Sequence, residues 1–483
     1  MNPLIAEIPG VIPWIALPFF IGFSINLFPK LSRLLAVVVA LSSMIYGAVQ
    51  LLRPLPQTLE FLDHFGVTLQ IDGLSGALIL TNGIVTLAVL LYCWQTGKST
   101  FFYTQLVILH GSVNAVFVCA DFISLYVAVE VIGIAAFLLM TYTRSDRVLW
   151  VGLRYLFVSN TAMLFYLVGA LLVYKSQHSF AFGGLGAAPP EAIALIILGL
   201  LTKGGVFISG LWLPLTHSEA DTPVSALLSG VVIKAGIFPL VRCALIVPEV
   251  GEILAMLGMA TALLGVVYAI WETDTKRLLA LSTVSQVGFM LVSPPIAGFY
   301  ALTHGCSKAA LFLISGNLPS RQFSQLAKVP IPPVLRGGMA IAALSIAGLP
   351  GLSGFAAKTV AVKDVLPWQA MVLNIAAVGT AIAMAKFILI PFSSTPAPPP
   401  TQGLSLALLL LVGAIIAANG LGPTAYTVVN ALKALGIIAL GGLIYGFILQ
   451  RWSIKLPRGG EQLEHLIGMM TLMLTALFWM VVT

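Results

Sequence analysis

The stretch from Thr202 to Arg242 reads TKGGVFISGLWLPLTHSEADTPVSALLSGVVIKAGIFPLVR. It holds two apolar segments, each with one lysine, Lys203 and Lys234, and the polar break LTHSEADTP lies between them. A lysine at the centre of a membrane helix costs about 2.5 to 3.5 kcal/mol on insertion scales, and such groups usually face a partner or a water-filled path. Two lysines that bracket a break therefore indicate an ion pathway.

The composition of the whole chain is that of a membrane protein. Of its 483 residues 59% are hydrophobic and 8% are charged, and the mean hydropathy is +1.03, whereas soluble domains carry about 25% charged residues. Apolar runs near 20 residues, the length that crosses a bilayer core of about 30 Å, recur along the chain. We therefore predict an all-α polytopic membrane protein with a single membrane domain, residues 1–483, and no soluble module.

The apolar runs mark sixteen candidate spans, of which the fourteenth and fifteenth are the weakest, so we expect about 14–16 transmembrane helices. The predicted spans are 10–28, 31–53, 73–96, 101–120, 121–143, 148–173, 190–213, 222–243, 251–272, 276–293, 296–318, 336–357, 367–393, 404–421, 425–450 and 463–482. Because the number of spans is even, both termini lie on the same side of the membrane.

The basic residues outside the spans predict the orientation, since cytoplasmic loops carry an excess of Lys and Arg. Thirteen follow odd-numbered spans: Lys30, Arg33, Lys98, Arg144, Arg147, Lys276, Arg277, Arg321, Lys328, Arg336, Arg451, Lys455 and Arg458. Four follow even-numbered spans: Arg53, Lys175, Arg242 and Lys363. We therefore expect both termini outside the cytoplasm. Topology explains the net charge of +7, so we expect no nucleic-acid partner.

Seven basic residues lie within apolar spans or at their edges: Arg154, Lys203, Lys234, Lys308, Lys358, Lys386 and Lys433. The one acid placed deep in a span is Glu130. A charged group in hydrocarbon needs a counter-charge, water or neutralisation. At about 4 Å and an effective dielectric near 20, a Glu–Lys pair interacts by about 4 kcal/mol.

Such a pair allows proton transfer, because a lysine holds its proton tightly beside a carboxylate and releases it readily when the carboxylate leaves. Glu130, Lys203 and Lys234 together therefore predict a proton relay. The alternative interpretation is a static buried ion pair that fixes helix packing.

Two further stations follow in the sequence. His304 and Lys308 are spaced i to i+4 and share a helix face, and the small residues 305–307 leave room for water between that helix and its neighbours. The alternative for His304 is a packing role. Lys358 follows a Gly/Pro-rich break and is expected to be the last station before the exit. Its alternative is a lysine that snorkels to the outer interface.

The other intramembrane cations have simpler interpretations. Lys386 and Lys433 have neither a partner nor a helix break close in sequence, so we expect them outside the relay. Arg154 is expected to snorkel inward or to pair with Asp146.

The polar break after the seventh span predicts a helix entry, in which Thr222 caps the helix and Pro223 occupies its first turn. The acidic and imidazole side chains here, His217, Glu219 and Asp221, have two interpretations. They collect protons at the mouth of the path, or they satisfy the polar groups of a loop.

Two spans carry breaks. The seventh is interrupted at LPLTHSEADTP. The twelfth is interrupted at AGLPGLSGF and is predicted to end at Lys358. Spans seven and twelve are five apart, and an odd offset reverses direction across the membrane. Broken helices at matching positions of two inverted halves indicate a transport site near the midplane.

Several other classes of function have no support in the sequence. There is no Walker loop, no G-x-G-x-x-G after a strand and no H-E-x-x-H. The four cysteines are scattered in apolar segments without a C-x-x-C pair, which argues against a disulfide framework, a zinc site or an iron–sulfur cluster. We therefore expect no cofactor and no bound metal.

The motif LWLPLTHSEADTPVSALLSGVVIKAGIFPLVR closely resembles the signature of the antiporter-like subunits shared by Mrp cation/proton antiporters, respiratory complex I and membrane-bound hydrogenases. The resemblance extends in order to FISLYVAVEVIG, DTKRLLALSTVSQVGFMLV, THGCSKAALFL and LSIAGLPGLSGFAAK, and it covers about residues 60–390. Asp221 departs from the pattern, since relatives often have proline there. The last two spans, with QRWSIKLPRGGEQLEH between them, lie outside the matched region.

The resemblance implies a bundle with two inverted five-helix repeats, at residues 101–243 and 251–393, followed by C-terminal helices at 394–483, with helices seven and twelve broken. By motif, Glu130 and Lys203 match the family's coupled Glu–Lys pair and Lys234 its central lysine. His304 and Lys308 match the next station, and Lys358 matches the terminal one.

Three hypotheses follow from the resemblance. The lysine at 358 and the chain length favour a D-type Mrp subunit that exchanges sodium or another monovalent cation for protons. It would belong to a hetero-oligomeric complex in a bacterial-type inner membrane. The second hypothesis is the proton-pumping subunit of a redox enzyme of the complex I type, an NAD(P)H or ferredoxin dehydrogenase. The third is a scaffold subunit whose charges do not conduct.

Overall fold

The computed structural model describes residues 10–53, 55–61, 66–326, 328–363, 365–391, 399–452 and 454–482. Part of the linker before the fourteenth predicted span, residues 392–398, lies outside them. Within the described residues the helices are α1 Val11–Leu27, α2 Ser32–Leu52, α3 Gly73–Cys93, α4 Thr100–Val116, α5 Phe122–Met140, α6 Asp146–Gln177, α7 Pro190–Lys203, α8 Leu213–Glu219, α9 Thr222–Leu227, α10 Lys234–Ile246, α11 Pro248–Trp271, α12 Thr275–Val292, α13 Ala297–Ser315, α14 Phe323–Leu326, α15 Pro333–Ala347, α16 Ser353–Lys363, α17 Pro367–Ile388, α18 Gln402–Ala417, α19 Val428–Phe447 and α20 Leu463–Val482.

The predicted all-α polytopic membrane fold is confirmed. In the described part of the chain, 11 helices are long and apolar enough to cross a membrane. Helices α12 and α13 are long and apolar enough only when taken together, and they meet at a bend of 115°. Helices α1 and α15 are apolar but shorter. Each of the sixteen predicted spans coincides with one helix or with helical segments on either side of a short break.

The seventh span is broken, but not at the stretch that the sequence indicated, because Leu213–Glu219 of LPLTHSEADTP form helix α8. Helix α7 ends at Lys203, a 3₁₀ turn spans Phe207–Trp212, and α8 begins at Leu213. Gly205 has φ +65°, a left-handed conformation that costs glycine little. A break in a membrane helix leaves backbone groups to be satisfied by other partners. Here the indole N–H of Trp212 donates to the carbonyl of Thr202 at 3.0 Å.

The twelfth span is broken as well. Helix α15 ends at Ala347 and α16 begins at Ser353, with Gly348 and Gly351 at φ +96° and +95° between them. The second half-helix continues to Lys363. The sequence placed its end at Lys358, which was wrong, because residues 359–363 still follow a helical path. Lys358 therefore lies in the middle of a half-helix.

A short β-hairpin precedes α3. Strands β1, Gln57–Glu60, and β2, Thr68–Ile71, pair antiparallel, with Gln57 opposite Ile71. The backbone N–H of Thr68 donates to the carboxylate of Asp121 at 2.8 Å, and Asp121 also caps α5. The hairpin therefore anchors the entry to α5.

The two last helices differ in their packing. Helix α20 packs against α6 and α7, so the C-terminal end of the chain covers the first broken helix. Helix α19 packs on α17, but only 6% of its apolar stretch is buried inside the protein. One face of the bundle along α19 is thus left to lipid or to a neighbouring chain.

Glycines allow α11 and α12 to lie in close contact, as small residues do between membrane helices. A Cβ added at Gly288 would lie 2.3 Å from the carbonyl oxygen of Gly258 and 2.6 Å from the backbone nitrogen of Ala262. Both neighbours are backbone atoms, which cannot turn aside as a side chain can.

We therefore expect Gly288→Ala to destabilise the protein by about 1–3 kcal/mol, the usual cost of overpacking. The measurement is the midpoint of thermal unfolding in detergent. The matched control is Gly436→Ala in α19, where a Cβ meets nothing within 4 Å. Equal midpoints for the two variants would contradict the packing assigned to α11 and α12.

The start of α3 is fixed by an ion pair. Asp72 caps the helix, and its carboxylate accepts hydrogen bonds from Arg242 of α10 at 2.5 and 2.8 Å. Burial raises the pKa of Asp72, but the hydrogen bonds and the charge of Arg242 outweigh burial and hold that pKa below its ordinary value. The ionised carboxylate is therefore the form that the fold stabilises.

This predicts a pH dependence of stability. Because the pKa of Asp72 is lower in the folded state, its contribution is present above the unfolded value of about 3.9 and is lost as the pH falls through the folded value. Asp72→Asn should therefore flatten the fall in unfolding midpoint between about pH 5 and pH 3. Asp146→Asn, at an exposed carboxylate, should keep the wild-type slope, and equal flattening in both variants would exclude Asp72 as the cause.

Candidate functional site

Lys203 is held at the break of the seventh span. It is the last residue of α7, its side chain is buried, and its amine donates to the hydroxyl of Ser159 at 2.7 Å. Tyr155 lies next to it, with the hydroxyl 3.5 Å from the amine and the ring centroid 5.4 Å away. The nearest partners of Lys203 are thus neutral groups of α6.

Glu130 lies at the edge of this arrangement. It is half-buried on α5, and Val127 and Ile134, one turn away on either side, are 56% and 52% exposed. The expected close ion pair with Lys203 is not formed, since among the described ion pairs, which extend to 4.0 Å, none contains Glu130. A Cβ added at Gly133 would nevertheless lie 3.6 Å from the Lys203 amine. The amine therefore touches α5 one turn from the carboxylate.

Lys234 follows a wide turn in the eighth span. Residues Leu228–Val232 form a π-helical turn between α9 and α10, and the N–H of Ile233 bonds to the carbonyl of Leu228, five residues back. Such turns occur frequently at functional sites. The carbonyl of Ser229 accepts a hydrogen bond from the Lys234 amine at 2.6 Å. The irregular backbone thus supplies a partner for the buried lysine.

Lys234 and His304 are in direct contact. The amine lies 3.0 Å from Nδ1 of the imidazole. A protonated amine can only donate, so this contact requires Nδ1 to carry the lone pair and places the ring proton on Nε2. Nε2 is buried and has no hydrogen-bond partner among the described residues. The imidazole can therefore accept a proton on one side and offer one on the other.

Two glycines make this contact possible. A Cβ at Gly305, next to His304, would lie 2.9 Å from the carbonyl oxygen of Gly230 in the π turn. A second pair brings the seventh and eighth spans together, because a Cβ at Gly236 would lie 2.3 Å from the backbone nitrogen of Gly204. Close backbone approach at both places sets the lysine-bearing segments side by side.

Lys308 is completely buried one turn beyond His304, and its amine donates to the carbonyl of Leu279 at 2.9 Å. A cavity of about 10 Å³ between α13, α15 and α16 is lined by His304, Ser307 and Lys358. This volume is at the lower limit for one water molecule. Space for a bridging water thus separates the imidazole from the next lysine.

Lys358 is 9% exposed, and its amine has no hydrogen-bond partner in the described part of the chain. It lies 5.2 Å from the ring centroid of Phe289. It also lines a cavity of about 410 Å³, whose other cationic side chains are Lys363 and Lys433. Lys358 is therefore buried and does not snorkel. Lys433, which was expected outside the relay, shares its cavity.

The contacts of Glu219 and Asp221 agree with the second interpretation of the polar break, in which these side chains satisfy the polar groups of a loop. Asp221 pairs with Lys98 at 2.5 Å and Glu219 with Arg147 at 2.9 Å. Asp221, and not Thr222, occupies the cap position, because α9 already begins at Thr222. His217 is fully buried and stacks on Phe312 with ring centroids 4.6 Å apart.

A network of charged residues joins α6 to the segment before α20, and the sequence did not predict it. Arg154 donates to the carbonyls of Trp212, at 3.2 Å, and of Glu461. It neither snorkels nor pairs with Asp146, because the residues that precede α20 lie against it. The carboxylate of Glu461 pairs with Arg277, which also binds Glu272 at 3.0 Å. The charged linker QRWSIKLPRGGEQLEH indicates that its residues pair with other charges, but the sequence does not identify which residues they pair with.

The protein is thus a membrane helix bundle with two broken helices. Around them lies a buried row of one imidazole and four amines, formed by Lys203, Lys234, His304, Lys308 and Lys358. Residues 119–383 match the family described as NADH:quinone oxidoreductase/Mrp antiporter, TM. This match covers more than half of the chain. The chain therefore belongs to the NADH:quinone oxidoreductase/Mrp antiporter transmembrane family.

Similar proteins come from both branches of that family. The chain is 31% identical to NAD(P)H-quinone oxidoreductase chain 4 1 of Synechococcus elongatus over 323 residues. The aligned part is 60% of each chain. It is 29% identical over 386 residues, 71% of this chain and 78% of the relative, to the D-type Na(+)/H(+) antiporter subunit of Alkalihalophilus pseudofirmus. The chain thus spans about three fifths of the length of the cyanobacterial relative.

A solved structure shares the fold. The Mrp complex from Dietzia sp. DQ12-45-1b contains a chain that superposes with a TM-score of 0.74 at 20% identity, over 94% of this chain and 98% of the other. Because the identity is low, this likeness shows the fold alone. It extends the shared architecture beyond residues 119–383 to nearly all of the chain.

The Arg154 network leads to a prediction. Arg154→Met should release the segment before α20, because it removes both carbonyl bonds and a buried cation, at a cost of about 2–4 kcal/mol. Cleavage by trypsin after Lys455 or Arg458, followed by mass spectrometry, measures the release. Lys175→Met, at an exposed lysine of α6, is the control. Equal cleavage rates in the two variants would show that Arg154 does not hold this segment.

Proposed function

We propose that this chain is the proton-translocating subunit of a multisubunit monovalent cation/proton antiporter, with Na+ the expected cation. The observation that carries the proposal is the contact of Lys234 with His304 inside the membrane domain. Buried ionisable groups of this kind mark ion paths in membrane proteins. The pair also has space for one water molecule on its far side, toward Lys358.

In this mechanism each residue holds a proton in turn. Glu130 and Lys203 form the first station, and the approach or departure of the carboxylate changes how tightly the amine holds its proton. Lys234 passes a proton to Nδ1 of His304, and Nε2 releases one toward Lys358. Lys308, one turn from His304, belongs to the same station, and when it is protonated its charge favours the neutral form of the imidazole.

The direction of transport rests on the proposed orientation. We place the loops after odd-numbered spans in the cytoplasm and both termini outside, in an energy-transducing inner membrane. We further propose that residues 101–243 and 251–393 are the inverted repeats and that 394–483 form a separate C-terminal part. The breaks in α7/α8 and α15/α16 at corresponding positions support this division.

We propose that the chain works with other subunits in a hetero-oligomeric membrane complex. Support comes from the similar chain in the Dietzia Mrp complex and from the uncovered helix α19. The relative named as an Na(+)/H(+) antiporter component aligns over 71% of this chain and 78% of its own length, which supports the antiporter.

The second candidate function is the proton-pumping subunit of a redox-driven complex of the complex I type. The 31% identity to the cyanobacterial oxidoreductase chain favours it. Under this alternative the same relay moves protons, but electron transfer in partner subunits drives it. The two candidates differ in what starts the flux and not in the residues that carry it.

The relay predicts the effect of removing its central lysine. Lys234→Ala, measured in everted membrane vesicles that contain the assembled complex, should reduce cation-dependent proton flux by at least on the order of 100-fold, as expected for a positioned proton-transfer group. Lys203→Ala should have the same effect. The control is Lys175→Ala, and all fluxes are normalised to folded protein.

The outcomes separate the hypotheses. Flux that responds to a Na+ or K+ pulse without an electron donor supports the antiporter, whereas flux that appears only with an oxidisable donor supports the redox complex. Wild-type flux in both lysine variants would leave the buried charges with a structural role only, as a static ion pair or a scaffold requires.

A further inference from the structure

A second charged site lies away from the relay, at one end of the bundle. It is a cavity of about 620 Å³ bounded by the loop between α11 and α12, the ends of α17 and α19, and the linker before α20. We call it the interfacial basic pocket. Its charged side chains are Glu272, Arg277, Lys386, Lys455, Arg458 and Glu461.

The pocket carries an excess of positive charge. Its two carboxylates are both bound by Arg277, and Glu272 also accepts a hydrogen bond from Arg458 at 3.2 Å. Four cations against two carboxylates leave a net charge of +2. Lys455 is exposed and has neither an ion pair nor a hydrogen bond among the described residues. The pocket therefore has cationic groups left over for an anion.

The donors of the pocket are also only partly used. Among the described residues Lys386 gives one hydrogen bond, to the carbonyl of Glu272 at 2.8 Å, and an ammonium group has three to give. The side chain of Arg458 is 59% exposed and reaches Glu272 through one of its terminal nitrogens. Both side chains can bind a further oxygen-rich anion without losing their present contacts.

The surroundings of the pocket are those of a membrane interface. Tyr268, Trp271, Tyr445 and Trp452 line it, and Trp and Tyr are enriched where a membrane meets water. It lies at the ends of helices that cross the membrane, so its depth is that of lipid headgroups. An anion that binds here has hydrocarbon on one side and water on the other.

Apolar side chains beside the pocket are open to the lipid. Phe447, Ile448 and Ile454 are 69%, 51% and 44% exposed. They continue the uncovered surface of α19 away from the charges. A ligand with an anionic head and an apolar tail matches this combination, while a free anion matches only the charges.

We propose that the interfacial basic pocket binds the headgroup of an anionic phospholipid, with the phosphate at Lys386, Lys455 and Arg458 and the acyl chains along the end of α19. Basic pockets between membrane helices are known to bind such headgroups. The bound lipid would join α17 and α19 to the linker before α20. This proposal does not depend on the direction or the driving force of proton transport.

The test uses the 483-residue chain purified in its native assembly and placed in nanodiscs. Native mass spectrometry measures the occupancy of phosphatidylglycerol and of cardiolipin against phosphatidylcholine, with inorganic phosphate as a competitor. We expect anionic lipid to be retained at least about fivefold better than phosphatidylcholine, the factor for about 1 kcal/mol per basic residue near an anionic surface. Phosphate should not displace it.

Charge-removing variants give the second measurement. Lys455→Gln should weaken retention about fivefold and Lys386→Gln with Lys455→Gln roughly 25-fold. The matched control is Lys30→Gln, which removes an exposed cation outside the pocket. Lys455 makes no contact among the described residues that the fold could need, so the single variant remains informative even if the double variant fails to fold.

Three results would overturn the proposal. Retention in Lys455→Gln equal to that in wild type and Lys30→Gln would exclude the pocket as the lipid site. Displacement by inorganic phosphate would show a site for a free anion. A native assembly in which another protein chain covers α19 and no lipid is retained would show a protein interface instead.

Discussion

The structure depends on how four lysines and a histidine are accommodated where water is scarce. None of the described amines in the row is neutralised by a carboxylate within ion-pair distance. Lys203 binds a hydroxyl, Lys234 a carbonyl and an imidazole, and Lys308 a carbonyl. Neutral acceptors stabilise an ammonium less than a carboxylate does, so the charged form of these amines is held less firmly than in a buried ion pair. A proton carrier has to release its proton, whereas a structural ion pair retains it.

Irregular backbone supplies one of these acceptors, the carbonyl of Ser229 in the π turn, whereas Ser159 offers a side-chain hydroxyl and Leu279 a carbonyl within α12. A regular helix uses its carbonyls in its own hydrogen bonds, although one of them, that of Leu279, also accepts from Lys308. The π turn before Lys234 and the break after Lys203 depart from this pattern next to the two lysines. The glycine contacts at 204/236 and 230/305 then bring the separate segments within reach of one another. Local departures from helix geometry and the charge row are thus parts of one arrangement.

The sequence predicted the features that depend on nearby residues. Apolar run lengths located the spans, and Gly and Pro located the break of the twelfth span, because these residues act on their own backbone. The break of the seventh span lies at residues 204–212, before the stretch LPLTHSEADTP that the sequence indicated. Contacts between distant residues were out of reach. The bond from Arg154 to the carbonyl of Glu461 crosses 307 positions, and no spacing rule connects them. The π turn has no residue signature, and it alone explains why Ser229 faces Lys234.

The missed and the mistaken predictions concern side chains whose position depends on packing. Glu130 was expected in an ion pair with Lys203, since one carboxylate among several cations suggests a pair, but it lies half-buried at the edge of α5 and beyond ion-pair distance. Lys433 seemed isolated because its neighbours in the cavity, Lys358 and Lys363, belong to α16. Sequence patterns give the face of one helix but not the rotation of that helix against the next.

The last two helices, α19 and α20, pack differently against the rest of the domain. The segment before α20 reaches the carbonyl of Trp212 through Arg154, so it braces the 3₁₀ turn that follows Lys203. Arg277 at the start of α12 holds the same segment through Glu461. A change in the break of the seventh span would therefore have to strain or release this network. The charges outside the proposed relay thus tie the first broken helix to the segment before α20, while α19 remains open to lipid or another chain.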